Sequence, residues 1–247
     1  MTHPAITGAS QWPDWFTLCI VRALTERYSN RMFRWLTLCA ALMAPAQLAA
    51  HPHVFVRTKM AVVFDDSGEI SVRLQWYYDE YFSLLVTADL GLDPDGDMLL
   101  TADEQALLDE QITAWPADYT GDLEVVQGAT VLPLAEKRNH RMTFENGLFY
   151  EVHLRPIAEI ADRNAPLTLL AYDPHYYVAY DLEGPVVIEG RDDCTVTVTP
   201  ANLDAAYTTV EELLYGRPAS DVGPDEEFPE VGQAFADTVT VTCAAPL

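Results

Sequence analysis

Apolar and polar residues alternate from Val54 to Phe64 and again from Ile70 to Tyr77. This period-two spacing, carried by Val, Ile, Phe and Trp, predicts two half-buried strands. Between them, Asp65-Asp66-Ser67-Gly68-Glu69 supplies the residue types that turn a chain. The pair therefore reads as a hairpin with Val62, Phe64, Val72, Leu74 and Trp76 as core residues. Over Asp79–Leu90 the period changes, and Phe82, Leu85, Val86 and Leu90 fall at helical spacing. A second helix, about Ala102–Ala114, presents Leu107, Leu108 and Ile112. From Tyr119 the β pattern returns. Leu123–Val126 and Thr130–Leu134 flank Gly128, while Arg138–Glu145 and Leu148–Leu154 flank Asn146-Gly147, the strongest two-residue hairpin signal. Short strands are expected at Leu167–Tyr172, Tyr176–Asp181, Val186–Glu189, Cys194–Thr199 and Thr238–Cys243, with a helix over Ala201–Leu214 and a loop over Gly216–Pro229. The chain carries no internal repeat. The predicted fold class is α+β, mostly antiparallel β with an EF-hand-like helix–loop–helix inserted over 79–115.

The first fifty residues follow neither pattern. Met32 is followed by Arg34, then by the short apolar run Leu36–Met43, then by the small-residue segment Ala44–Ala50. The run is about a dozen residues, short of the ~20 that span a bilayer. Residues 1–50 therefore read as a cleaved export signal with an over-extended start ahead of Met32, cut near Ala50. The expected mature domain is 51–247, exported and not itself membrane-spanning.

Removing that leader changes the charge and the cysteine count. The whole chain is −24; the leader holds four arginines against Asp14 and Glu26, so the mature part is −26. A surface this acidic repels nucleic acid and anionic lipid and attracts cations. Of four cysteines only Cys194 and Cys243 remain, and an even pair in an oxidising compartment predicts a disulfide.

The acidic loop carries the most specific chemistry. Residues 93–104 place Asp93, Asp95, Asp97, the carbonyl of Leu99, Thr101 and Glu104 at the six ligand positions of a calcium loop. Three carboxylates so close repel each other unless a cation lies among them. Leu100 supplies the apolar residue at the eighth position. Met98 stands where such loops hold Gly for a sharp turn, and a side chain at positive φ costs free energy. The competing reading is an acidic helix–turn–helix that binds nothing.

Two histidine pairs add a second set of donors. Cleavage after Ala50 leaves His51-Pro52-His53 at the new terminus, where His51 and His53 are candidate ligands. Pro52 has no N–H, which rules against the square-planar mode that needs deprotonated backbone amides. In the hairpin, a two-residue turn at Asn146-Gly147 sets Phe144 opposite Phe149, Met142 opposite Glu151, and His140 opposite His153. Cβ atoms ~4.5–5.5 Å apart let two imidazoles share one ion, of zinc, nickel or copper type. The alternative is a stacked, hydrogen-bonded pair. Asp79, Glu80, Asp173 and His175 are further candidates.

Five segments carry a family resemblance: Ala50-His51-Pro52-His53-Val54-Phe55-Val56, Trp76-Tyr77-Tyr78-Asp79-Glu80-Tyr81-Phe82-Ser83, the loop 93–104, Tyr172-Asp173-Pro174-His175-Tyr176-Tyr177, and the late Cys194 and Cys243. Together they resemble the bacterial domain-of-unknown-function family 1007. The resemblance implies a periplasmic component of a transport system whose members tend to occur near nickel/cobalt-type permeases, so a membrane metal permease is the implied partner. That family's loop usually has Gly where Met98 stands.

These observations order the function classes. The reading is a periplasmic metal-handling accessory of a transition-metal transport system, with calcium in loop 93–104. The alternatives are a calcium-stabilised structural adaptor and an ABC-transporter solute-binding component; the latter usually has two lobes of βα units, which this β-rich chain lacks. No Gly-x-Ser-x-Gly, Walker or His-Glu-x-x-His motif is present, and no enzyme is predicted.

Overall fold

The computed structural model describes residues 52–116, 119–217, 222, 226 and 228–247. The segment 1–50 expected to be an export signal, the candidate ligand His51 and part of the expected loop 216–229 lie outside the described residues. Residues Ala49–Leu247 form one compact unit.

The alternating segments form strands. Strands β1 (Val54–Phe64) and β2 (Ile70–Tyr78) pair antiparallel, with Phe64 opposite Ile70 across the Asp65–Glu69 turn. Asp65 ties that turn by accepting from the backbone N–H of Ser67 and of Glu69, both at 2.9 Å. Strand β2 also pairs with β6 (Leu148–Pro156), and β6 with β5 (Arg138–Glu145). On the other edge β1 takes β8 (Val178–Leu182) and β9 (Val187–Glu189) in parallel, the exceptions to an antiparallel architecture. The first sheet thus runs β5-β6-β2-β1-β8, with β9 also on β1.

A second sheet has β3 (Leu123–Gln127), β4 (Thr130–Val131), β7 (Leu167–Ala171), β10 (Cys194–Thr199) and β11 (Thr238–Cys243) in the order β10-β11-β7-β3-β4. The two sheets share one core, in which Val56, Val62, Val72, Leu74 and Trp76 of the first meet Val125, Leu167, Leu169, Val239 and Val241 of the second. Of the expected core residues, Val62, Val72, Leu74 and Trp76 are buried, and Phe64 packs partly buried at the edge. Cys194 and Cys243 stand directly opposite on β10 and β11 and form a disulfide.

Among the described residues, three α-helices accompany the sheets: α1 (Glu80–Leu90), α2 (Ala102–Thr113) and α3 (Leu203–Leu213). Asp79 caps α1, its side chain accepting from Phe82 N–H. Helices α1 and α2 lie on the β5–β6 end of the first sheet, where Leu92, Leu108, Met142, Phe144 and Phe149 form a second core. The described fold is α+β with mostly antiparallel sheets, as the sequence predicts.

Four expectations are corrected. Leu85 is 43 % exposed, while Ser83 is fully buried and its hydroxyl accepts from Phe149 N–H at 3.1 Å. The strand expected over Thr130–Leu134 stops at Val131, and Leu134 only bridges Ile157. The strand expected from Tyr176 begins at Val178, because Tyr176 turns back with φ 54°. The uniform register of β5 and β6 holds from Glu145–Leu148 to Arg141–Val152 and shifts by a bulge before Arg138–Leu154, at Asn139 with φ 52°.

Candidate metal centre

Two groups of donors occupy different parts of the fold. The first is the loop between α1 and α2. Oxygens of Asp93, Asp95 and Asp97 all lie within 4.8 Å of one another. The loop folds around Asp93, whose carboxylate accepts from the N–H of Asp97 at 2.9 Å and of Met98 at 3.1 Å. Met98 has φ 64°, the left-handed turn that Gly would adopt without cost. Glu104 stands apart from the three aspartates. It completes a capping box with Thr101 at the start of α2, and its Oε1 accepts from Asp93 N–H at 2.9 Å. These hydrogen bonds, that from the Thr101 hydroxyl first, lower the Glu104 pKa. Leu99 is exposed, and Leu100 packs against the second core. Three carboxylates offer oxygen only, a donor set for a hard cation.

The second group lies inside the fold. Along β6 the period of two puts Phe149, Glu151, His153 and Arg155 on the buried face of the first sheet. Register places Trp76 opposite Glu151 and Leu74 opposite His153, so an acid and an imidazole sit on a face otherwise made of sandwich core. His140 reaches them from β5 despite the bulge: its ring centroid is 5.9 Å from that of His153. The pair expected from the hairpin is thus brought together without being a laddered pair.

Glu151 lies between the rings. Its Oε1 is 2.7 Å from His140 Nε2 and 3.6 Å from His153 Nδ1, and its Oε2 accepts from Tyr78 O–H at 2.6 Å. The side chains of His140, Glu151 and His153 are 6 %, 5 % and 0 % exposed. His140 Nδ1 and both nitrogens of His153 are buried without a hydrogen-bond partner. An unsatisfied buried polar group costs about 1–3 kcal/mol, so three in one place are conspicuous. Burial, then the nearby His140, Arg155 and Lys137, push the His153 pKa down to about 3. The ring is neutral, the form that ligates a metal. Two imidazoles and a carboxylate are the donor chemistry of zinc, nickel and copper(II), but here their donor atoms do not all lie within 4.8 Å of one another; among the described residues that spacing is found at Asp93, Asp95 and Asp97.

Trp115 and Gly121, between α2 and β3, lie against the cluster. Trp115 lies edge-on to His140 and to His153, at 5.0 Å from each, while Trp76 contacts His153 at 4.6 Å. Gly121, at φ 75°, passes so close that a Cβ there would stand 2.9 Å from the Trp115 ring and 3.5 Å from His153 Nε2. Asp122, also left-handed at φ 49°, accepts from the hydroxyls of Tyr119 and Tyr180. Burial, then Asp173 and Glu151, raise the Asp122 pKa to about 6, against the lowering effect of the two tyrosine hydrogen bonds. Burial drives the Tyr78 and Tyr180 pKa values well above the ordinary value, so both remain donors. Tyr119, Asp122 and Arg155 also line an open cleft of about 430 Å³.

The remaining candidates have other duties. The His53 ring lies tilted against that of Tyr177, centroids 4.7 Å apart. Asp79 accepts from Phe55 N–H at 2.7 Å besides capping α1, and Glu80 is exposed in the first turn of that helix. Asp173 accepts from the N–H of His175 and of Val178, and His175 Nδ1 meets the Phe228 carbonyl at 2.8 Å. Sequence reasoning missed Glu151, Tyr78, Trp115, Tyr119 and Asp122. A signal for Glu151 was present, since it precedes His153 by two on a strand; nothing local marks the other four.

No curated protein and no solved structure matches the chain. The profile of a family described as "Protein of unknown function (DUF1007)" matches residues 36–243, and the chain belongs to that family.

Proposed function

We propose that this protein is a periplasmic metal-handling accessory of a transition-metal transport system, with calcium held in loop 93–104. The observation that carries the reading is the buried pair His140 and His153, closed around Glu151 with three ring nitrogens lacking hydrogen bonds. Support comes also from the EF-hand-like spacing of the loop, its clustered aspartates and the net charge of −24, which draws cations to the surface. A membrane permease for nickel, cobalt or zinc is the proposed partner, and an export signal ending near Ala50 the proposed route to it.

The test is calorimetric titration of the mature protein with zinc, nickel and copper(II), calcium already saturating. Binding tighter than about 100 μM is expected, and it disappears in the His140→Ala, His153→Ala double variant; no binding in the wild type sinks the reading. In a parallel arm calcium raises the melting temperature by mass action. Met98→Gly enhances the response by removing a side chain from a residue at φ 64°, and Glu104→Gln weakens it. One observation favours a calcium-stabilised adaptor instead: Tyr81, Leu84, Leu85 and Leu107 of α1 and α2 are exposed, as a protein-binding face would be. Calcium binding without any transition-metal binding decides for that adaptor.

A further inference from the structure

The period of two along β6 puts Arg155 on the same buried face as Glu151 and His153, and it is only 7 % exposed. Its Nε is buried without a hydrogen-bond partner, and among the described residues no carboxylate pairs with the guanidinium. The contact it makes is with the ring of Trp115, 5.8 Å from the centroid. Arg57, Arg73, Arg138 and Arg191, all more exposed, have carboxylate partners. A guanidinium does not give up its proton in a protein, so Arg155 carries a buried charge with no counter-charge, a costly arrangement.

Arg155 also lines the open cleft of about 430 Å³. We infer that this cleft binds a small organic monocarboxylate with an apolar body, and that Arg155 holds the carboxylate. The inference is independent of the metal-handling reading and uses none of its proposed ligands.

The rest of the cleft selects the ligand. Leu132, Pro133, Leu134 and Pro174 give it an apolar wall suited to a hydrocarbon body. Asp122 and Glu124 stand on the same cleft. Asp122 accepts from Tyr119 O–H at 3.0 Å, and Glu124 accepts from Tyr172 O–H at 2.9 Å and from Gln233 Nε2 at 3.0 Å. Neither acid pairs with Arg155, and both repel a second negative charge on a ligand. Phosphate and polycarboxylates are disfavoured on that ground, and by the net charge of −24. A single carboxylate matches the guanidinium fork with two parallel hydrogen bonds. An uncharged ligand of the same shape leaves the fork as unpaired as before.

The experiment is calorimetric titration of the full mature protein, stripped of metal. The probes are 3-methylbutanoate and benzoate, and the comparators are 3-methylbutanol, phosphate and citrate. The wild type should bind one equivalent of 3-methylbutanoate or benzoate with Kd below ~1 mM, about tenfold or more tighter than any comparator. Arg155→Lys keeps the charge but not the fork, and should weaken binding by about fivefold or more. Val131 lines the cleft and is 59 % exposed, so its substitution spares the core. Val131→Glu should weaken binding and Val131→Lys strengthen it, each by roughly two- to threefold at low salt, and the difference should shrink in ~1 M sodium chloride. Failure of both probes to bind tighter than ~1 mM overturns the inference. So does a comparator that binds as tightly as the monocarboxylate, or an unchanged affinity in Arg155→Lys. If Arg155→Lys does not fold, the Val131 pair decides, and equal affinities in Val131→Glu and Val131→Lys overturn the placement in this cleft. The zinc titration is separate from each of these outcomes, so failure of one reading leaves the other standing.

Discussion

His153 occupies a sheet face that water does not reach, and burial drives its pKa down to about 3. In the unfolded chain the ring titrates near its usual ~6.5. Between those values the unfolded chain binds a proton that the folded chain refuses. The stability that neutral His153 contributes is therefore complete above about pH 6.5 and is lost as pH falls, by about 1.4 kcal/mol per unit. Asp122 works the other way. Its pKa is raised from 3.8 to about 6, chiefly by burial, so its contribution is complete at low pH and is lost as pH rises through about 6. Between about pH 4 and 6 the two slopes oppose each other. Asp122→Asn removes one of them. Urea titrations of the metal-free variant should show stability falling with acid between pH 6 and 4 about 1.4 kcal/mol per unit more steeply than in the wild type, with the two slopes alike above pH 6. Parallel pH dependences would refute the opposition.

At the scale of elements, the helix pair is attached to the sheet by polar contacts set within an apolar interface. Ser83 is the fully buried residue of α1, and its hydroxyl receives the N–H of Phe149, the second residue of β6 after the Asn146-Gly147 turn. Around it lie Leu92, Leu108 and Phe144. Ser83→Ala keeps the helix propensity but strands a buried backbone N–H, at a cost of about 1–3 kcal/mol. The urea midpoint should fall accordingly, with the Phe149 amide exchanging faster and helix content retained; an unchanged midpoint would show that the contact is dispensable. This seating matters to the candidate site, because α2 ends at Thr113, two residues before Trp115. Gln105 Nε2 donates to the Met142 carbonyl at 3.0 Å, fixing α2 to β5, the strand that carries His140.

At the scale of the molecule, Cys194 and Cys243 join neighbouring strands β10 and β11 of the second sheet across 49 residues of sequence. In the chain-entropy account a loop of that length is worth ~4 kcal/mol, by restricting the unfolded chain. Part of the benefit is already supplied by the six-pair ladder between the same strands. Reduction should therefore lower stability by about 2–4 kcal/mol in urea titrations with and without reductant, without changing the far-ultraviolet circular dichroism of the native state. A reduced protein as stable as the oxidised one would remove the disulfide from the account of stability.

Local pattern alone determined most of the elements here. Strand boundaries at Val54–Phe64, Arg138–Glu145, Cys194–Thr199 and Thr238–Cys243 follow from alternation and turn residues, because strand faces repeat every two residues and turns need particular backbone angles. The pairing of Cys194 with Cys243 followed from a count of two, and the meeting of His140 with His153 from a two-residue turn at Asn146-Gly147. The ligand spacing of loop 93–104 was equally plain in the chain. What only the tertiary structure decided is what surrounds those residues. The bulge at Asn139 breaks the register that the hairpin alone would extend to His140. Trp115, Tyr119 and Asp122 belong to a connecting segment with no periodicity, and Trp115 meets the histidines where α2 is seated on β5. Periodicity reports which way a side chain faces within its own element; which element comes to cover it depends on long-range packing, and that leaves no local trace in the sequence.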